Sequence, residues 1–210
     1  NNLKKPFTVV LKGMEVIRSK AFENCSAIVA VEFGESLKTI EAGAFKGAES
    51  ITSITLPASL TTIDKETFKD CTSLAAVNGL ENVIHIEKSA FEGCTSLTEV
   101  DLSSVVSMGE NAFAGCSKLS SVKNPLLLTD IPRKAFYECY YLKSYAFDSV
   151  KTIGKEAFAY SSIIYPAFTD TLKEIGESAF KSTNISELKI PKSVTAVSKN
   201  AFTECYSLKT

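Results

Sequence analysis

Apolar residues return along this chain with a period of 22–23, far longer than the period of a single helix or strand. The fixed point is a phenylalanine, at Phe22, Phe45, Phe68, Phe91, Phe113, Phe136, Phe158, Phe180 and Phe202. Its neighbour before is Ala in eight cases and Thr67 in the other. Five residues before each Phe stands an aliphatic residue or Met: Ile17, Ile40, Ile63, Ile86, Met108, Ile131, Ile153, Ile175 and Val197. After each Phe comes a second apolar group. Leu97-Thr98-Glu99-Val100-Asp101-Leu102 reads L-x-x-V-x-L, and Ile51-x-x-Ile54-x-Leu56 and Leu142-x-x-Tyr145-x-Phe147 repeat it. Its last positions alternate, the period of a strand. Pro57, Pro125 and Pro191 share the slot that follows, and proline cannot extend a ladder, so it marks the strand end. Leu60-x-x-Ile63, Val105-x-x-Met108 or Val194-x-x-Val197 then brings the chain back towards the next Ala-Phe.

One such unit cannot bury its own apolar side, so its neighbours must cover it. The pattern predicts a solenoid of nine stacked units in a single domain over residues 1–210. Each unit adds one strand to a parallel sheet on the concave face, with turns or short helical or strand segments on the convex face. At ~4.8 Å per rung the stack is roughly 45 Å long. The Phe series should form an internal ladder, with the small Ala beside it leaving room for the ring. No polar cap closes the C-terminal unit, and the chain opens Asn1-Asn2-Leu3-Lys4-Lys5, so it is read as part of a longer protein that continues past Thr210.

The unit L-x-x-[IV]-x-[LI]-P-x-x-[LV]-x-x-I-G-x-x-A-F-x-x-C resembles the BspA-type leucine-rich repeat. Ile86-Glu87-Lys88-Ser89-Ala90-Phe91-Glu92-Gly93-Cys94 and Ile153-Gly154-Lys155-Glu156-Ala157-Phe158 carry the likeness best. Units seven and eight lack one residue between the Cys slot and the strand, and hold Ser161 and Thr183 in that slot. The resemblance implies a leucine-rich-repeat fold, extracellular or cell-surface display, and binding to protein partners such as host matrix or serum proteins.

Composition narrows the chemistry. With 23 basic and 24 acidic residues the formal charge is −1, which speaks against a nucleic-acid surface. No apolar run approaches the ~20 residues of a membrane span. Six cysteines suggest a disulfide framework, yet Cys25, Cys71, Cys94, Cys116, Cys139 and Cys205 all lie three residues after a marker Phe, where other units have Ala48, Ser161 and Thr183. The slot therefore asks for a small residue, and the thiols are expected free and buried. Metal spacing of the C-x-x-C kind is absent, and no metal or cofactor is expected. His85, the sole histidine, falls in a polar slot shared with Thr39, Thr62, Ser107, Asp130, Thr152 and Glu174. That position reads as surface, not as half of a Ser/His pair. The sequons at Asn24 and Asn184 are taken as chance.

Tyrosine alone is uneven. Tyr137, Tyr140, Tyr141, Tyr145, Tyr160 and Tyr165 crowd into units six and seven. Tyr145 sits in a core slot. Tyr137, Tyr140, Tyr160 and Tyr165 stand where other units are polar, and amphipathic Tyr is favoured at binding hot spots. Tyr165 shares its slot with Ser53, Glu99, Ser121 and Ser144. The alternative is that these tyrosines only pack around the shortened seventh unit. The middle outward row of the sheet reads Glu32, Thr55, Asn78, Asp101, Lys123, Ala146, Ala167 and Lys189, a mixed row suited to a protein or a glycan. The expected function is a non-catalytic binding module, with Tyr137, Tyr140, Tyr160, Tyr165, Asp101 and Lys123 as candidate contacts. The alternative is a structural spacer that presents another domain.

Overall fold

In the computed structural model, residues 5–209 are described. The expectation that the chain continues past Thr210 lies outside them. Nine coils stack as a parallel β-solenoid, and successive coils meet along three runs of backbone.

The first run is a two-residue ladder just before each Ala-Phe. Its rungs are Val16–Ile17, Thr39–Ile40, Thr62–Ile63, His85–Ile86, Ser107–Met108, Asp130–Ile131, Thr152–Ile153, Glu174–Ile175 and Ala196–Val197. The rungs pair in parallel without register shift in three groups, the first two, the next three and the last four, for example Ile131 with Ile153 and Ile153 with Ile175. The first residue of each pair looks outward. The second is the apolar residue five before Phe, buried from Ile17 through Ile175 except at the half-buried Met108.

The second run is the Phe turn. The residues two before and two after every marker Phe have φ between 54° and 75°, the left-handed region, from Lys20 and Asn24 to Asn200 and Glu204. These two kinks close successive tight turns, seen in Glu23 N–H donating to Lys20 C=O and Cys25 N–H to Phe22 C=O. They also aim three amides at the next coil: Glu66, Phe68 and Asp70 donate to Lys88, Ala90 and Glu92. The turn holds the ring inward. Seven of the nine rings, Phe45 through Phe180, are fully buried, and successive rings stack at 5.1–5.6 Å with planes within 15°. The expected ladder is present. Thr67, the exception in the Ala slot, is buried because its hydroxyl donates to Asp64 C=O at 2.8 Å.

The third run is the L-x-x-V-x-L strand, and here the structure differs from the sequence expectation. Paired strands occur at Phe7–Leu11 with Ile28–Phe33, Ser53–Thr55 with Ala76–Asn78, and Glu99–Asp101 with Ser121–Lys123. Beyond Lys123 the corresponding residues of coils six to eight form no strand. Two features account for the loss in coils seven and eight. Coils seven and eight are one residue short ahead of this run, which shifts its register. Pro166 fills the inward slot held by Val100 and Val122 in earlier coils, and it has no N–H to give.

Candidate binding surfaces

The thiols are closed to chemistry. Each of Cys71, Cys94, Cys116, Cys139 and Cys205 donates its S–H to the marker Phe C=O of the preceding coil, at 3.1–3.3 Å. Cysteine fits this slot because it is small and can also serve that carbonyl. Burial pushes the Cys71 thiol up to about 12 and those of Cys94, Cys116 and Cys139 well above their ordinary value. The thiolate is the nucleophile, so these sulfurs are inert. Cys25, in the first coil, is half-buried.

His85 meets a serine after all. Its Nδ1 lies 2.7 Å from Ser107 Oγ on the next rung of the two-residue ladder. Asp130 continues that row one rung further, but its carboxylate accepts from the Thr129 and Thr152 hydroxyls, which hold its pKa below the usual range. The order along the stack is therefore His, Ser, Asp. A nucleophilic triad needs the imidazole between hydroxyl and carboxylate. Among the described residues no three metal-ligating side chains converge.

The candidate tyrosines divide between two faces. Tyr137 and Tyr160 lie on the Phe-turn face, half-buried, with their rings edge to face at 5.5 Å. Lys134 Nζ stands 4.5 Å over Tyr137 and Lys181 Nζ 5.6 Å over Tyr160. Burial, then the negative charge of Glu138, pushes the Tyr137 hydroxyl up to about 12. Tyr140 is half exposed, and burial and Glu138 raise it in the same direction. Glu138 thus faces both phenols. Sequence reading did not single it out, because a lone Glu in a turn carries no signal of its own. Tyr160 itself has φ 62°, a strained conformation for so bulky a side chain. The rest of this face is a chain of ion pairs between coils, including Lys69–Glu92 at 2.8 Å, Lys134–Glu156 at 3.2 Å and Lys155–Glu177 at 2.9 Å.

Tyr165 belongs to the strand-run face, 63% exposed and apart from the other three. Asp101 and Lys123 share that face as direct register partners, yet they do not pair with one another. Lys123 reaches Glu99, while Asp101 accepts from the Ser103 amide at 2.9 Å and so caps the turn after its strand. Asp101 thus has a structural task, and Lys123 is exposed. Tyr141, 62% exposed, follows Tyr140 in the chain and also projects into solvent, as do Leu126 and Leu127 elsewhere on the surface.

A parallel solenoid with one Phe-marked turn per coil defines a repeat scaffold whose surface, not a central cleft, is available to ligands. The model of the BspA type leucine-rich repeat region matches six copies, over residues 6–107 and 85–209, and the chain belongs to that family. No curated protein matches the sequence. Among solved structures, a leucine-rich cell surface protein of Faecalibacterium prausnitzii A2-165 is 26% identical, with TM-score 0.61 over 93% of this chain and 62% of that one. A leucine-rich repeat protein of Bacteroides ovatus is 21% identical, with TM-score 0.75 over 96% of this chain and 62% of that one. The leucine-rich repeat protein of T. pallidum is 30% identical, with TM-score 0.61 over 65% of this chain and 67% of that one. The chain thus spans about three fifths of the first two. Among the described residues no helix is long and apolar enough to cross a membrane.

Proposed function

We propose that this chain is a non-catalytic binding module of a cell-surface or secreted protein, and that it engages a protein partner in the manner of an adhesin. The observation that carries the reading is the exposure of aromatic residues in coils six and seven. Tyr140, Tyr141 and Tyr165 are 49%, 62% and 63% exposed, in slots that in most other coils hold Ser, Thr or charged residues. A rigid ring with a polar tip gives contact area at low entropic cost. Tyr137, Tyr140 and Tyr160 gather around Glu138 as one anchor, and Tyr165, with Asp101 and Lys123 further along its face, offers a second. The partner class is a host matrix or serum protein, or a glycan borne on one. Extracellular display is supported by the family and by the cell-surface relative from Faecalibacterium prausnitzii.

A spacer role is the second reading. The coil-to-coil ion pairs of the Phe-turn face favour it, since charges satisfied within the stack leave little for a partner. The discriminating experiment is binding of the purified chain to immobilised matrix proteins, serum proteins and glycans, beside a Tyr137/Tyr160/Tyr165→Ser variant. Saturable binding lost in the variant supports the module. Absence of binding by the unaltered chain favours the spacer.

A further inference from the structure

The two residues after each marker Phe furnish the Phe-turn face. Coil three has Lys69-Asp70 there, coil six Tyr137-Glu138 and coil eight Lys181-Ser182. Coil five has Ala114-Gly115, and of the nine coils it alone presents no side chain larger than a methyl. The backbone does not demand this gap, since the left-handed slot of Gly115 is held in other coils by Asn24, Asp70, Glu138, Tyr160, Ser182 and Glu204. The result is a notch of about 370 Å³, with Gly93, Ala114 and Gly115 as its floor. Asp70 and Glu92 wall it on coils three and four, Tyr137 and Glu138 on coil six, and Asn111 and Arg133 also line it. The Asp70 carboxylate lies over Gly93, where an added Cβ would meet its Oδ1 at 2.4 Å. The charges of this face break at the same place. Around the Phe turn an ion pair crosses every junction between coils except that between coils five and six, among the described residues. The pairs Lys69–Glu92 and Lys134–Glu156 flank the break and leave Asp70, Arg133 and Glu138 without an ion-pair partner among the described residues. The Asn111 amide group likewise has no hydrogen-bond partner among them.

We propose that this notch holds a sugar ring of a neutral glycan. The inference rests on the binding-module reading and names what the Phe-turn anchor recognises. Four carboxylates and three cations line the notch, so a charged ligand of either sign meets repulsion as well as attraction. A neutral pyranose meets neither penalty, and each of its hydroxyls both donates and accepts. Neighbouring hydroxyls donate to Asp70 or Glu138 and accept from Arg133 or Asn111, the groups that the stack leaves unpaired. Hydrogen bonds with an ionised partner are the stronger kind. The Tyr137 ring offers the C–H side of the sugar an apolar wall. The volume lies at the lower end of small-ligand sites, which span about 300–1,000 Å³. So open a notch binds one sugar weakly, and several copies on one surface raise the avidity. A polypeptide finds less here, because the amides of the Phe turn are committed to the next coil.

The test begins with the intact chain on a dense array of immobilised glycans. Neutral oligosaccharides should retain it, and sialylated or sulfated ones should not. A retained oligosaccharide titrated in solution should shift the amide resonances of Gly93, Ala114 and Gly115. Ala114→Lys gives coil five the residue that coils two, three and eight carry in this slot, set towards Glu138 as Lys181 is towards Glu204. It should keep the melting temperature and weaken binding more than about tenfold. Arg133→Ala, at an exposed position without a partner to lose, should weaken binding by about tenfold. Tyr165→Ser, on the other face, should leave it unchanged. The proposal is overturned if no neutral glycan is retained, if acidic glycans are retained in preference, or if Ala114→Lys and Arg133→Ala bind as the parent does. Binding to a matrix or serum protein that survives both removal of its glycans and Ala114→Lys would sink the notch while leaving the binding-module reading intact. Binding to no protein and no glycan would sink both.

Discussion

Tyr145 brings a phenol into a slot that is aliphatic in earlier coils, where Ile54 and Val100 face inward. Its ring is well used, packed at 5.1–5.4 Å against Phe136, Phe147 and Phe158. Its hydroxyl is not, being buried without a hydrogen-bond partner. Ser161 shows the same defect in the Cys slot, 3% exposed with its Oγ unpaired. A thiol there would meet the Phe136 C=O as Cys139 meets that of Phe113. A buried hydroxyl without a partner costs about 1–3 kcal/mol. Tyr145→Phe and Ser161→Cys should therefore each raise stability by about 1 kcal/mol, which for a chain of this length is about 2–4 °C in melting temperature. Calorimetry showing either variant less stable than the parent would mean that the hydroxyl has a partner in solution.

A coil stands or falls on two features of its turn. Losing one ring from the Phe ladder leaves a cavity flanked by two others, so Phe113→Ala should cost about 3–5 kcal/mol. Glycine has a second, separate task at Gly109, where an added Cβ would lie 2.3 Å from Lys88 N of the coil before. Gly109→Ala should cost about 1–3 kcal/mol through the forced shift of backbone, whereas an alanine elsewhere on the surface would cost little. Equal melting temperatures for Gly109→Ala and the parent would refute the close approach. The contrast shows how much was legible beforehand. The Phe period, the buried aliphatic five residues earlier and the Cys slot were readable because each recurs nine times. The paired left-handed residues were not, since Gly, Asn, Asp, Lys, Glu, Ser and even Tyr160 occupy them and no single residue type marks the place. The strands were read correctly through Lys123, though they pair two by two instead of forming one sheet, and the reading ran too far beyond it. Pro166 and the missing residue were visible, but whether a ladder tolerates them depends on the neighbouring coil. The candidate tyrosines were identifiable as a group from sequence spacing alone. Their division into two faces was not, because Tyr160 and Tyr165 are five residues apart yet lie on different runs of one coil.

Over the whole molecule each coil touches only its neighbours, so any bond between coils contributes to the cooperativity of the stack. Many of those bonds join a carboxylate to a cation or hydroxyl one coil away. Glu41 is held below its ordinary pKa by the Ser19 amide and Arg18, and Glu66 by Lys46. Asp130 is lowered by the hydroxyls of Thr152 and Thr129, Glu177 by Lys155, and Glu204 by Ser182. A depressed native pKa means that the unfolded chain takes up the proton first. The stabilisation is therefore complete above the unfolded carboxylate value and is lost as pH falls through the native one. Exposed pairs contribute little singly, but here they recur from the first coil to the last. Melting temperature should thus fall steeply as pH drops below about 4.5, and the pairing contribution near neutrality should shrink in high salt. Lys46 and Lys181 are raised by Glu66 and by Tyr160 with Glu204, so their contribution holds to alkaline pH and fades only above the ordinary lysine value. Thermal unfolding followed from acid to alkaline pH at two salt concentrations tests this directly. A flat acid limb would assign the cooperativity of the stack to the Phe ladder and the backbone alone, with the ion-pair chain serving only to keep that face solvated.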